Sequence, residues 1–465
     1  MKLKKRDRRR AFRLAPLTKV ISLAVMLPHI MFHHVYEHHR QDFNQMFLGT
    51  NDPNVLPNVL PQFWQELALR RDPRLQHHPM FGTASWHTRA IPISLHGDAV
   101  PVIRCTRAGS ESFDTYSWMS ILGKGTTLYL KQYLFGLFNA MKTADTMTPV
   151  WEEICWSLAA LEEGVWPRGP IEGGTYARTS SDGLLAGTAL AGGFFCILYL
   201  LIGDIPHFAE CFGLRRHNAY NPCDFCPVHN QVGGDPQYYR FNFALRATWK
   251  TSLYTAADWR NLYSALHVLF RTFLYLSQYN VEPDELHVMH LGVGQELLGS
   301  VLWYLVFIMM AGDAMSNMHA VWADVVDIYI RDGIKTRFNT VNINSFTGGK
   351  SPQSGFFARL KGKGGEVKHL LFPLLEVFRK HIRPTDATGM DNRILECLET
   401  YGNIVESFDG WRDGLFLPTH VARQVLLWCD QCCHQYISLA QWADTMNLAL
   451  FCVKPKLHWF WHLCH

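Results

Sequence analysis

No G-x-G-x-x-G, no complete G-x-x-x-x-G-K-[ST] and no G-x-S-x-G stands in usable context anywhere in these 465 residues. The phosphate cradles of nucleotide enzymes and the nucleophile elbow of α/β-hydrolases therefore have no basis here. GGKS at 348 to 351 lacks both the full spacing and a preceding strand. Internal repeats are absent. A convincing secretory leader is also missing: LTKVISLAVMLPHIMF is broken by Lys19 and Pro28 and has no small-residue cleavage site. Without a leader, twelve widely scattered cysteines read as reduced thiols of an intracellular chain, nuclear or cytoplasmic. Charge of one sign is not in large excess, since the formal net value is only +4. It is uneven, however, with KLKKRDRRRAFR inside the first thirteen residues. Such a run is a solvated tail, a nuclear address or a nucleic-acid contact.

What the chain does have is apolar content, 48% of residues, enough to bury a substantial core in two or three domains. The run LLAGTALAGGFFCILYLLIG at 184 to 203 has the length a bilayer span needs. Its second half, FFCILYLLI, is aromatic and β-branched and lies between Gly192-Gly193 and Gly203-Asp204, which reads instead as a buried strand. A membrane protein built on this run is the minor alternative. LLGSVLWYLVFIMMAG at 297 to 312 suits a buried core helix. Strand patterns occur early, in AIPISLHGDAVPVIR, SWMSILG and TTLYLKQYLF. Helical periodicity follows in GLFNAMKTADTM and WEEICWSLAALEEGVW, and dominates from ADWRNLYSALHVLFRTFLYL to the end. The expected class is α/β.

Several residues carry candidate chemistry. Asp98 lies inside the strand pattern ISLHGDAVPV, where it is either a turn residue of a Gly-Asp hairpin or a functional acid. Asp204 follows the apolar strand, and strand ends of open sheets collect functional groups. Two such carboxylates suit a shared Mg²⁺ or Mn²⁺. Cys223 and Cys226 have the two-residue spacing that offers two thiolates to a tetrahedral Zn²⁺, with Pro222 and Pro227 stiffening the turn. His217 and His229 are the nearest nitrogens, and Asp284-Glu285-Leu286-His287 is the next polar cluster. Two unligated thiols are the plain alternative. CDQCCH at 429 to 434 has the same spacing, but its periodic surroundings make these core cysteines of a helix.

Taken in order, LPHIMF, FWQELALRRDPRLQHHP, RAIPISLHGDAVPV, SWMSILG, GDIPHFAECFGL with PCDFCP, VEPDELHVMHLGVGQELLGSVL, FTGGKSPQSGF and VKPKLHWFWH resemble one lineage. They are similar to transposase-derived proteins related to the CACTA (En/Spm-like) DNA transposons, of the type multiplied in some algal genomes. The resemblance runs from about residue 27 onward. It implies a ribonuclease H-like core at 89–295, a large helical insertion at 296–465 and a helical N-terminal appendage at 20–88 behind a basic tail at 1–19. It further implies a DDE triad with two metal ions, Asp98 matching the first acid and Asp204 the second, with Asp284 and His287 matching an Asp-x-x-His signature near the active site or the zinc site. The third acid belongs in a helix beyond the Pro-Lys-x-His segment, and KPKLHWFWHLCH at 454 to 465 is followed by no glutamate. The expectation is a truncated or decayed transposase product that contacts DNA at transposon ends, as a homo-oligomer if it assembles, with strand transfer impaired. A non-catalytic DNA-binding relic is the alternative.

Overall fold

The computed structural model describes residues 23–465 except 76–77, 107–108, 351–355, 384–385, 387–388 and 413. The basic run of the first thirteen residues and the middle of FTGGKSPQSGF lie outside them. The chain is a mixed α/β protein whose strands form one five-stranded sheet in the order β3-β2-β1-β4-β5. The strands are β1 Ala90–Thr106, β2 Gly109–Ser120, β3 Gln132–Phe138, β4 Phe195–Gly203 and β5 Val281–Pro283. β1 pairs antiparallel with β2, and β2 with β3, while β4 runs parallel to both β1 and β5. Seven of the nine residues of β4 are buried, as both-face coverage of a parallel strand demands. The apolar run at 184 to 203 thus splits into a short helix at Ser181–Leu185, a turn and this strand. Gly97 and Asp98 lie within β1, opposite Tyr116 and Thr115, so Asp98 is a strand residue rather than a hairpin turn.

Helices α1 Pro28–His38, α2 Leu56–Leu69 and α3 Ala144–Glu163 pack with this sheet. Pro28 opens α1 and Thr143 caps α3 through its hydroxyl, which accepts from the Thr146 N–H. Phe32, Phe43, Phe63 and Trp64 join Ile91, Leu198 and Trp151 in one apolar core, and the Trp64 indole donates to the Ala90 carbonyl at 2.9 Å. The segment expected as an N-terminal appendage therefore contributes to the core of the sheet. GLFNAMKTADTM is only partly helical, because Gly136–Phe138 close β3 and α3 begins at Ala144. ADWRNLYSALHVLFRTFLYL gives two short helices, Ala256–Asn261 and Val268–Thr272. The Arg260 guanidinium donates to the carbonyls of Phe270, Leu274 and Leu276 and folds the second piece back on the first.

A second core is built almost wholly from helices. After α4 Ile205–Cys211, these are α5 Leu286–Met309, α6 Ala314–Arg331, α7 Gly364–Lys380, α8 Met390–Gly410, α9 Thr419–Thr445 and α10 Pro455–Cys464. Helix α5 is long and apolar enough to cross a membrane, yet 83% of its apolar window is buried among the other helices. Cys429, Cys432 and Cys433 are buried in α9, as core cysteines of a helix. The loop holding Cys223 and Cys226 belongs to this second core, with Val228, Phe243 and Trp249.

Candidate functional site

The parallel register of β1 and β4 sets His96 opposite Ile202, and two further residues on each strand reach Asp98 and Asp204. The strands are close here: a Cβ on Gly203 would stand 3.5 Å from the Gly97 carbonyl oxygen. Both glycines also face the His207 ring, which a Cβ on Gly97 would meet at 2.0 Å. Asp284 follows β5 directly, and its backbone N–H donates to the Gly203 carbonyl at 2.9 Å. Asp98 thus stands on β1, and Asp204 and Asp284 stand directly past the ends of the neighbouring strands β4 and β5.

Their side chains are engaged differently. Asp204 caps α4, one carboxylate oxygen accepting from the His207 N–H at 2.7 Å. Asp284 accepts from the Leu286 N–H and holds His287 Nδ1, both at 2.8 Å. The Asp98 carboxylate accepts no hydrogen bond among the described residues, and the second Asp204 oxygen is equally unclaimed. The hydrogen bond to Asp284 raises the affinity of His287 for its proton; burial opposes this, and the charges of Asp284, Asp204 and Asp98 add to it. Burial works to raise the Asp284 carboxyl, but the bonds from His287 and the Leu286 N–H outweigh it and hold the group below its ordinary range. Nearby, burial pulls the Lys456 ammonium down against the opposing fields of Asp204, Glu296 and Asp284. All three carboxylates lie within the electrostatic reach of His287, and of the three only Asp98 and Asp204 keep oxygens that no described group claims.

The second cluster is sulfur and nitrogen. Cys223, Cys226, His458 and His462 bring four ligand atoms within 4.8 Å of one another, and this group could hold a metal such as zinc. His458 and His462 are four residues apart on α10 and so share a helical face. Cys226 Sγ lies 3.3 Å from both Nε2 atoms, Cys223 Sγ lies 3.4 Å from His462 Nε2, and the two Nε2 atoms are 3.1 Å apart. A tetrahedral zinc with its ordinary bond lengths has S···N edges of about 3.5 Å and N···N edges of about 3.3 Å. The match extends outward. His458 Nδ1 lies 3.0 Å from the Arg240 carbonyl, the bond that fixes the tautomer offering Nε2 inward. The Phe225 N–H donates to Cys223 Sγ at 3.3 Å, Phe225 stacks on His462 and Trp249 packs on His458. Burial disfavours ionisation of Cys223, but the Cys226 thiol and both imidazoles outweigh it, so Cys223 is the readier thiolate. Between the thiols, burial pushes the Asp224 carboxyl up to about 7, and the Tyr263 hydroxyl donates to it.

Of the nitrogens the sequence suggests for this cluster, none belongs to it. His229 Nε2 lies 3.0 Å from the Asp235 carbonyl, and a bridge to Tyr239 pins its backbone. His217 offers its carbonyl to Asn230 and Arg240 and lines a cavity beside Pro206. His287 is held by Asp284 in the other cluster. The true partners lie in KLHWFWHL, whose His-x-x-x-His spacing is itself a zinc-ligand signature. No protein-family profile matches the chain, and no curated protein is similar to it.

Proposed function

We propose that this chain is of DDE-transposase descent, related to the CACTA elements, with a ribonuclease H-like core in which Asp98 and Asp204 bind Mg²⁺ or Mn²⁺ and act on phosphodiester bonds of DNA. The observation that carries the reading is the placement of Asp98 on β1 and of Asp204 and Asp284 directly past the ends of the adjacent strands β4 and β5. An antiparallel meander continued by two parallel strands, in the order β3-β2-β1-β4-β5, supports the ribonuclease H-like assignment; this part of the reading is fold-level analogy. A bound cation would supply charge neutralisation at the phosphate oxygens. The chain's own part is to hold carboxylates at fixed spacing: the register fixes Asp98, the helix cap fixes Asp204, and His287 locks Asp284. The thiol–imidazole cluster, in this reading, is a structural zinc site.

One observation favours the second reading, DNA binding without strand transfer. Both Asp284 oxygens are already engaged, which leaves only Asp98 and Asp204 with free oxygens for an ion. The two readings separate in one assay. The full chain is incubated with Mn²⁺ and a supercoiled plasmid carrying its element's ends, beside Asp98→Asn and Asp204→Asn variants. Nicking that both variants lose supports the enzyme. Retention of the DNA without nicking supports the relic, and nicking that persists in both variants removes the acid cluster from the chemistry.

A further inference from the structure

A cavity of about 230 Å³ opens beside the acid cluster, lined by Ile205 and Pro206, the two residues that follow Asp204, and by Arg359, Lys454, Lys456 and Glu296. Its charges are unbalanced. Lys454 and Lys456 make no ion pair among the described residues, and Lys456 gives a single hydrogen bond, to the Leu291 carbonyl at 3.3 Å. Arg359 is held by the Gln295 side-chain oxygen, through Nε at 3.0 Å and a second nitrogen at 2.6 Å, and is half exposed. The one carboxyl in the wall, Glu296, has a side chain only 5% exposed; one oxygen stands 3.4 Å from Arg359 Nε and the other has no hydrogen-bond partner among the described residues. Burial raises that carboxyl's affinity for its proton, against the fields of Lys454, Arg359 and Lys456. Three cations around one carboxyl leave the wall with an excess of positive charge, a place for an anion. The Lys456 stem is fixed against Gly292, where a Cβ would meet its Cδ at 2.8 Å, so one of these charges is preorganised.

We infer that Arg359, Lys454 and Lys456 seat a backbone phosphate of a nucleic-acid strand next to the phosphodiester presented to Asp98 and Asp204. The inference rests on the phosphodiester reading of the acid cluster. The cavity begins at the residues directly after Asp204, and Lys456 lies in the fields of both Asp204 and Asp284, so a strand crossing the acids reaches these cations. The seat reads charge and not sequence.

The test is fluorescence anisotropy on the full chain with a labelled mixed-sequence 20-mer, single-stranded, in DNA and RNA arms, without added divalent metal and over a range of KCl. Lys454→Gln/Lys456→Met keeps both stems; it should bind about ten-fold more weakly near 0.1 M salt. The slope of log affinity against log salt should fall by about 0.7, the share of one phosphate contact on a single strand. If the double variant melts early, the exposed Lys454→Gln alone should lower the slope in the same direction, by less than about 0.7. Unchanged slopes in a folded, zinc-replete variant overturn the inference, and so does an equal variant effect on binding of a labelled poly-glutamate. A slope change in either arm supports it, and the tighter arm names the strand. The two proposals fail separately: altered slopes without Mn²⁺-dependent nicking remove only the acid-cluster reading, and nicking with unaltered slopes removes only the phosphate seat.

Discussion

The thiol–imidazole cluster and the carboxylate cluster differ in how completely the protein satisfies them. The first is closed: four ligand atoms at near-tetrahedral spacing, a carbonyl behind His458, and Phe225 and Trp249 packed on the rings. The second is open, its Asp98 and Asp204 keeping oxygens that no described protein group claims. A closed first shell spends all its affinity on holding the metal and hence on folding, whereas an open one leaves positions for water and substrate. Removal of metal should therefore be a folding event at one cluster and a binding event at the other.

The largest effect expected from this contrast is at the closed site. Cys226→Ala or His458→Ala should abolish binding of one zinc per chain and cost more than about 5 kcal/mol of stability, since structural zinc contributes on the order of 10 kcal/mol to folding in small domains. Elemental analysis with thermal melting checks this; zinc-free wild type, or variants that melt with wild type, would sink it. A smaller effect sharpens the comparison by supplying a buried ionisable group in neither cluster. Burial pushes Glu162 up to about 7 and holds the neighbouring His78, 3.3 Å away, down at about 4, so the two meet as neutral groups in mildly acidic solution. A carboxyl raised on folding adds stability below its unfolded value of 4.5, and that stability is lost as pH climbs through about 7. Glu162→Gln should remove up to about 3 kcal/mol of that decline in urea melts between pH 5 and 8. A variant with the wild-type pH profile would refute the assignment.

At the open site the backbone matters more than the ion. Gly97→Ala would place a Cβ 2.0 Å from His207 Cε1, and pushing the ring away should cost about 1–3 kcal/mol in denaturant titration. A neutral substitution would mean that the ring moves freely. The smallest effect is that of the cation: Mn²⁺ at ten times its dissociation constant should stabilise the chain by about 1.4 kcal/mol, and by nothing in Asp204→Asn. Asparagine keeps the helix cap, so the variant remains folded. An equal Mn²⁺ shift in wild type and variant would erase the contrast between the clusters.

Local patterns made part of this legible in the sequence. The apolar run ending at Gly203 announced β4, and the Gly-Asp after it announced an acid at a strand end. Cys-x-x-Cys announced half of a metal site. The other half is not legible locally, because nearness in sequence is not nearness in space: His217 and His229 are close along the chain, but His229 is held by the Asp235 carbonyl and the His217 carbonyl serves Asn230 and Arg240. The broken helix at 256–272 escaped for a similar reason, because Arg260 folds it through carbonyls no periodicity reports. Strand register, which sets His96 opposite Ile202 two residues before Asp98 and Asp204, depends on a pairing between segments about a hundred residues apart, and only their burial patterns hint at it.

The distance between the two halves of the closed site also sets a timetable. Cys226 and His458 are 232 residues apart, and closing so long a loop costs about 5 kcal/mol of chain entropy before any bond is made. At ~5–20 residues per second, the ribosome delivers the imidazoles roughly 10–50 s after the thiols. Through that interval the two sulfurs are a bare dithiol, open to oxidation or to any soft metal that passes. Helix α10 is thus a clasp fastened late, and the half-life of the nascent chain depends on how soon it arrives.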